Sequence, residues 1–347
     1  MVNNETSVDN GPASPVAIGI MATIYTAIFF TSELGNGFVI FSLLVRKRKS
    51  RTAMEEFVLS LATTDFLFTT LTLFNGLEYI LDEWKFGVVA CKIHAQLLEV
   101  TYTVSTLTLA TISYTRHKAA NADNPFKLLH KRPKVKRNIA LIWFFSFIFN
   151  LPLLYGYTVV TRDGSLHCTN VNFNEVTRQT YYLVQAVLLF VLPITIMIVS
   201  QRLITRSLRS HSLKQATDLQ STNQSAIATR AVLSEQRITK LLTCVWIIFA
   251  CCWTPFVTYR AVDYFVHIRK RGQVWNQLWH MCQLLVLLNS AINPLLYHRM
   301  AKRSPGVLTQ SRCARWGWCC LRRDERRRQV VDVTMGTMGT TLQSRSQ

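Results

Sequence analysis

The chain has 347 residues, of which 49% are hydrophobic and only 17% charged, and its 39 Lys and Arg against 19 Asp and Glu give a formal net charge of +20. Ordinary soluble domains carry about 25% charged residues, so this composition does not suit a cytosolic globule. The abundance of Leu, Ile, Val and Phe excludes intrinsic disorder. A basic excess fits nucleic-acid binding only when it clusters on a soluble surface, so where the charges fall decides between partners.

Seven apolar stretches follow one another, each near or above the roughly 20 residues that a helix needs to cross a bilayer. They run from Val16 to Val45, Phe57 to Leu81, Val88 to Tyr114, Ile139 to Tyr157, Tyr181 to Val199, Leu241 to Val266 and Val274 to Tyr297. None alternates with the two-residue period of a barrel strand. The expected fold is an all-α membrane protein, a bundle of seven transmembrane helices. No internal repeat supports an inverted-repeat transporter.

Of the 39 Lys and Arg, 31 lie at Arg46–Arg51, between Arg116 and Arg137, between Arg202 and Lys240, or from Arg299 onward. These segments alternate with the spans, which places the N-terminus outside and the C-terminus inside and removes nucleic acid from the candidate partners. The expected organisation is an extracellular tail over 1–15, a seven-span domain over 16–300 and a basic cytoplasmic tail over 301–347. No cleavable signal peptide is apparent. The sequon Asn4-Glu5-Thr6 makes Asn4 a glycosylation candidate.

Of the nine cysteines, only Cys91 and Cys168 fall on the outer, oxidising side, which makes them the expected disulfide. Cys319 and Cys320, beside Arg315, Arg322 and Arg323, read as palmitoylation sites next to a lipid-binding basic patch, or else as free thiols.

Polar groups inside the spans are costly and usually functional. Asp65 has no Lys or Arg in its span, and Ser105, Asn289, Ser290 and Asn293 fall at similar depth. Such an oxygen set suits a hard monovalent cation or a water-bridged polar network. On the third span Leu98, Tyr102, Ser105, Leu109, Ile112 and Arg116 recur on one helical face. Pro152, Pro193, Pro255 and Pro294 interrupt the backbone hydrogen bonding of spans four to seven.

Gly35-Asn36, Leu61-Ala62-Thr63-Thr64-Asp65, Cys91, Arg116, Trp143, Pro193, Cys252-Trp253-Thr254-Pro255 and Asn293-Pro294-Leu295-Leu296-Tyr297 occur in order on successive spans. Together they resemble the rhodopsin-like G-protein-coupled receptors over residues 16–300. The resemblance implies a receptor in which an extracellular ligand shifts a helix equilibrium that a heterotrimeric G protein reads inside, with arrestin and membrane lipids as further partners. It also implies a sodium site at Asp65, Ser105, Asn289, Ser290 and Asn293, sodium being the one cofactor-like group expected. Arg116, Glu235, Phe249, Trp253, Pro255, Asn293, Pro294 and Tyr297 become activation-switch residues, with Glu235 a resting-state partner for Arg116. Three departures stand out: Thr115 precedes Arg116 where the family carries an acid, Gln201 replaces a tyrosine, and Ser304-Pro305-Gly306 interrupts the eighth helix. Thr115 and Gln201 motivate an alternative, a non-signalling scavenger receptor.

Leu98 stands where similar amine receptors carry Asp, and the seventh span has no lysine to hold retinal. Monoamine binding and light sensing are therefore disfavoured. Thr158–Arg162 and Ser165–Thr169 around Asp163-Gly164 read as a hairpin. That arrangement resembles receptors for peptides, as does Trp84-Lys85-Phe86-Gly87. A peptide ligand is expected, with a lipid or other small molecule as the alternative. Its expected pocket is Glu99, Tyr102, Gln185, Trp253, Tyr259, Arg260, His280 and Gln283, where Glu99 either receives a cationic ligand group or bridges to Arg260. No metal or nucleophile motif of the HExxH or GxSxG type occurs, so enzymatic activity is not expected.

Overall fold

The computed structural model describes residues 15–45, 51–120, 132–162, 164–217, 224–265 and 273–303, with side chains described over 16–45, 51–119, 134–162, 164–207, 239–265 and 274–297 except 276. Among the described residues, seven long helices follow in order: α1 (Pro15–Val45), α2 (Ala53–Leu81), α3 (Gly87–Ala120), α4 (Arg132–Phe149), α5, α6 (Gln224–Phe265) and α7 (Gln273–Arg303). α5 consists of Glu175–Ala186, a π-helical turn Val187–Val191 and Leu192–Thr217. The described residues up to Met300 form one compact unit.

Local chemistry sets the helix ends. Thr52 caps α2 by accepting the Glu55 N–H, while the Glu55 carboxylate accepts the Thr52 N–H, a reciprocal box that satisfies two orphan donors. α2 stops where Asp82 turns left-handed at φ 52°. α4 stops ahead of Pro152, which starts a separate helical turn, Pro152–Gly156, instead of continuing the fourth stretch unbroken to Tyr157. α3, α5 and α6 run well past their apolar stretches, because a helix leaving a bilayer keeps its own hydrogen bonds and no longer needs apolar side chains.

Five of the seven helices, α1, α2, α4, α5 and α6, are long and apolar enough to cross a membrane. α3 and α7 are more polar, and burial explains the difference for α3. The six-residue stripe expected on α3 is too narrow. Val100, Val104, Thr101, Thr103, Thr106 and Thr108 are buried as well as Tyr102, Leu109 and Ile112. This helix meets protein rather than lipid on nearly every side, and most of these threonines return their hydroxyls to their own helix, as Thr103 and Thr106 do. α1 is the opposite case, with Val16, Phe30, Leu34 and Phe38 among its exposed apolar residues. The shared core joins Phe57 and Leu61 of α2, Leu109 and Ile112 of α3, Leu189 and Met197 of α5, Val245, Phe249 and Trp253 of α6, and Leu296 and Tyr297 of α7.

Between α4 and α5 the expected hairpin forms. β1 (Thr158–Arg162) pairs antiparallel with β2 (Ser165–Thr169), Val159 opposite Cys168 and Arg162 opposite Ser165. Gly164 turns it at φ 86°, a conformation that a side chain would strain.

Candidate functional site

The hairpin is fastened at three points. Cys168 is disulfide-bonded to Cys91 at the outer end of α3, the pair expected from the sequence. The Cys168 N–H donates to Glu78 Oε1 (3.3 Å), and His167 Nδ1 lies 3.7 Å from the same oxygen. The Trp84 N–H donates to the Leu166 carbonyl (2.6 Å), tying in the first outer loop. Trp84 itself is buried, with its indole N–H on the Gly87 carbonyl and its ring packed by Phe74, Phe86 and His94. A disulfide alone would leave the hairpin free to swing; the Glu78 and Trp84 contacts fix its direction.

Two turns below Cys91, three helices meet at a charged group. Arg260 of α6 donates to Glu99 Oε1 of α3 (2.7 Å), and Gln185 of α5 donates to Glu99 Oε2 (2.6 Å). Gln185 Oε1 accepts in turn from Arg260 (3.3 Å). The Glu99–Arg260 bridge left open by the sequence is therefore present, and Glu99 is one half of an ion pair, not an isolated carboxylate. The Arg260 guanidinium also lies over the Tyr182 ring (4.0 Å) and near Phe256 (5.3 Å). Tyr182 stacks on Tyr264 (4.7 Å), and the Arg178 guanidinium lies over the Tyr264 ring (5.4 Å). Asn170, just after the hairpin, donates to the hydroxyls of both tyrosines. Such cation–π contacts contribute about 1 kcal/mol each. Sequence reading missed Glu78, Tyr182, Tyr264 and Asn170; the one available signal was the gathering of tyrosines at the outer ends of spans four to six.

One turn deeper, Tyr102 stacks on Trp253 (4.1 Å), which also meets Phe249 (5.7 Å), Phe256 (5.8 Å) and Phe68 (6.1 Å). The Tyr102 hydroxyl donates to the Leu189 carbonyl (3.0 Å). Leu189 stands four residues before Pro193, which has no N–H to offer that carbonyl. The strain is taken up by the π-helical turn, where the Leu192 N–H reaches the Val187 carbonyl. A proline in one helix thus creates an acceptor that a tyrosine from another fills, and Tyr102 is part of this junction more than of an open pocket wall. Tyr259 stacks on Trp275 (4.5 Å) and donates to its carbonyl, His280 packs on Tyr79 (4.2 Å), and Gln283 is half-buried. Tyr259 thus ties α6 to α7, and His280 ties α7 to α2.

At mid-membrane depth Asp65 is buried, accepting from the Ser290 hydroxyl (3.0 Å) and the Asn293 amide (2.9 Å). Asn36 of α1 joins the network through the Ser290 carbonyl (3.1 Å). Asn289 Oδ1 and Asn293 Oδ1 are buried without a hydrogen-bond partner among the described residues. Ser105 is half-buried and makes no described bond to Asp65. The Asp65 carboxylate, the Ser290 hydroxyl and the donorless Asn293 Oδ1 form a set that fits a sodium ion, and no described contact brings Asn289 to Asp65.

The comparisons agree with this geometry. Residues 35–297 match the family described as 7 transmembrane receptor (rhodopsin family). The chain belongs to the rhodopsin family of seven-transmembrane receptors. It is similar to the Tachykinin-like peptides receptor 86C of Drosophila melanogaster, with 25% identity over 94% of this chain and 66% of that relative. A member of this family is a multi-pass protein of the plasma membrane and a receptor, not an enzyme.

The inner switch of this rhodopsin-family chain is described in part. Gly35 lets α1 approach α7: a Cβ there would come within 2.9 Å of the Pro294 ring. Tyr297 is buried and its hydroxyl has no described partner. Pro255 and Pro294 both lie inside helices. Arg116 is half-buried and engaged, while Thr115 turns its hydroxyl onto its own helix at Thr111 (2.7 Å). The Glu235 side chain, Asn4, Cys319, Cys320 and the Ser304-Pro305-Gly306 interruption lie outside the described residues.

Proposed function

We propose that this rhodopsin-family protein is a receptor for an extracellular peptide that activates a heterotrimeric G protein through movement of α6, with its N-terminus outside and its tail inside. The observation that carries this reading is the Glu99–Gln185–Arg260 triad, which ties the outer halves of α3, α5 and α6 one turn above the Tyr102–Trp253 stack. A ligand group that exchanges partners within the triad changes the tie between α3 and α6 directly, and the stack below transmits the change to Phe249. Differential binding to the two helix arrangements is all that the shift requires. The fastened hairpin supports a peptide, because it holds the outer loop in one place, and the similarity to a tachykinin-like peptide receptor points the same way.

Glu99, Gln185 and Arg260 contact the ligand in this reading, with Tyr259, His280 and Gln283 lining the opposite wall and Tyr102 and Trp253 forming the floor. Asp65, Ser105, Asn289, Ser290 and Asn293 hold a sodium ion whose charge neutralises the carboxylate and favours the resting arrangement. Arg116 meets the G protein, and Asn293, Pro294 and Tyr297 rearrange with it. Arrestin shares that face, the lipidated tail at Cys319 and Cys320 rests on anionic lipid, and Asn4 carries a glycan.

Thr115 favours a second reading, a receptor that captures ligand without signalling, because the residue that precedes Arg116 in sequence carries a hydroxyl in place of a carboxylate. Peptide fractions applied to cells expressing the chain, read by guanine-nucleotide exchange beside ligand uptake, separate the two. Exchange that rises with peptide supports signalling. Uptake without exchange, in both the native chain and the Thr115→Asp/Gln201→Tyr variant, supports capture. A Glu99→Lys variant with unchanged peptide potency removes the triad from the ligand site.

A further inference from the structure

The first span contains an acid that the receptor reading leaves unused. Glu33 lies 17 residues from Val16 and 12 from Val45, the ends of its membrane-crossing segment, or about 25 Å and 18 Å along the helix. It therefore stands near the middle of the bilayer. It is only half-buried, and its neighbours Phe30 and Leu34 face outward, 56% and 72% exposed. Its described partner is the Thr70 hydroxyl of α2 (3.1 Å), whose single proton is also offered to the Phe66 carbonyl (3.0 Å). Neither α1 nor α2 contains a Lys or Arg, and no ion pair to Glu33 occurs among the described residues.

The same face of α1 is shaped for close approach. Thr26, Phe30 and Glu33 recur at four- and three-residue steps, and Ala22, Thr23, Thr26, Ala27 and Phe30 line a shallow recess of about 450 Å³. Thr23 and Thr26 turn their hydroxyls onto the Gly19 and Ala22 carbonyls, so the recess presents small apolar surface. Small residues at four-residue spacing let helix backbones approach closely in lipid, and ionisable groups within spans characteristically pair with one another.

We propose that this face of α1 docks a single transmembrane helix of a partner protein that carries a Lys or Arg at mid-membrane depth, with the cation paired to Glu33 and the helix backbone seated in the recess. Charge complementarity selects the occupant. Lipid tails offer no cation. A second copy of this chain presents another Glu33 at the same depth, which is repulsion in place of pairing. A basic side chain on a spanning helix is held at the required depth by the helix itself.

The test uses the full chain, donor-labelled and reconstituted in phosphatidylcholine vesicles, with acceptor-labelled single-span Leu/Ala peptides bearing Lys, Leu or Glu at the central position. Energy transfer should show the Lys peptide binding about tenfold more tightly than the Leu peptide, and Glu33→Gln should abolish that preference. Glu33→Lys should transfer the preference to the Glu peptide, which also answers any general loss of folding. Ala27→Phe, filling the recess, should weaken the Lys peptide while Glu33 is intact. Equal binding of Lys and Leu peptides, or a preference that survives Glu33→Gln, overturns the proposal. So does self-association of the receptor that depends on Glu33 without preference for the Lys peptide, which would reassign the face to a second copy.

Discussion

The outer collar of the bundle and its mid-membrane centre hold their polar groups in different ways. In the collar, Glu78, Glu99, Arg260, Gln185, Asn170 and Tyr182 each have a described partner, and a disulfide crosses the group. At the centre, Asn36 Oδ1, Asn289 Oδ1, Asn293 Oδ1, the Tyr297 hydroxyl and the Trp253 indole N–H are buried without one. Unpaired buried polar atoms are costly, so the collar, where Arg178 Nε is the exception among its described groups, is largely set in one geometry, while an incompletely partnered region accommodates ions, waters or a second arrangement. The proposed function needs that contrast, a collar that recognises ligand and a centre that changes.

Substitutions ranked by expected effect sharpen that contrast. Cys91→Ser opens a link between residues 77 apart in sequence, and loss of such a cross-link costs about 4 kcal/mol. Cell-surface labelling should fall to near background, and surface levels like those of the native chain would show that Glu78 and Trp84 alone hold the hairpin. Glu99→Leu leaves the Arg260 guanidinium paired only with an amide, and breaking a buried pair on one side costs about 3 kcal/mol. The melting temperature in detergent should drop, and Glu99→Leu combined with Arg260→Met should regain part of the loss.

Gly35→Ala drives a methyl to within 2.9 Å of Pro294, and overpacking of this kind costs about 2 kcal/mol. Thermal unfolding should register it as a smaller destabilisation than Glu99→Leu. Tyr102→Phe keeps the ring stack but leaves the Leu189 carbonyl without its donor, for about 1 kcal/mol. The smallest effect is expected at the centre. Asp65→Asn should erase the difference in melting temperature between sodium chloride and choline chloride at equal ionic strength, a ligand-linked stabilisation of about 1 kcal/mol or less in the native chain. A sodium effect that persists in Asp65→Asn would place the ion elsewhere.

Much of this site was legible from residue identity. Asp65, Ser290 and Asn293 meet as their shared depth suggested, and the hairpin forms on the residues read as strands. Other features depended on backbone geometry that no side-chain pattern announces. Pro193 signalled a weak point in the fifth span, but the π-helical turn and the capture of the Leu189 carbonyl by Tyr102 required two helices to be in place. Glu33 escaped notice because one acid hardly lowers the hydropathy of a 30-residue apolar stretch.

By itself the sequence determined the number and order of the spans, the disulfide, the hairpin and the family, because each is written in local composition, spacing or residue type. Lipid selects apolar length, and an oxidising compartment selects cysteine pairs. Only the tertiary structure decided that Glu99 is already paired with Arg260, that the middle of α3 is buried on nearly every side while α1 has many exposed apolar residues, and which carbonyls and amide oxygens lack donors. Those are relations between side chains on different helices, fixed by packing angle and depth, and no stretch of chain contains them alone.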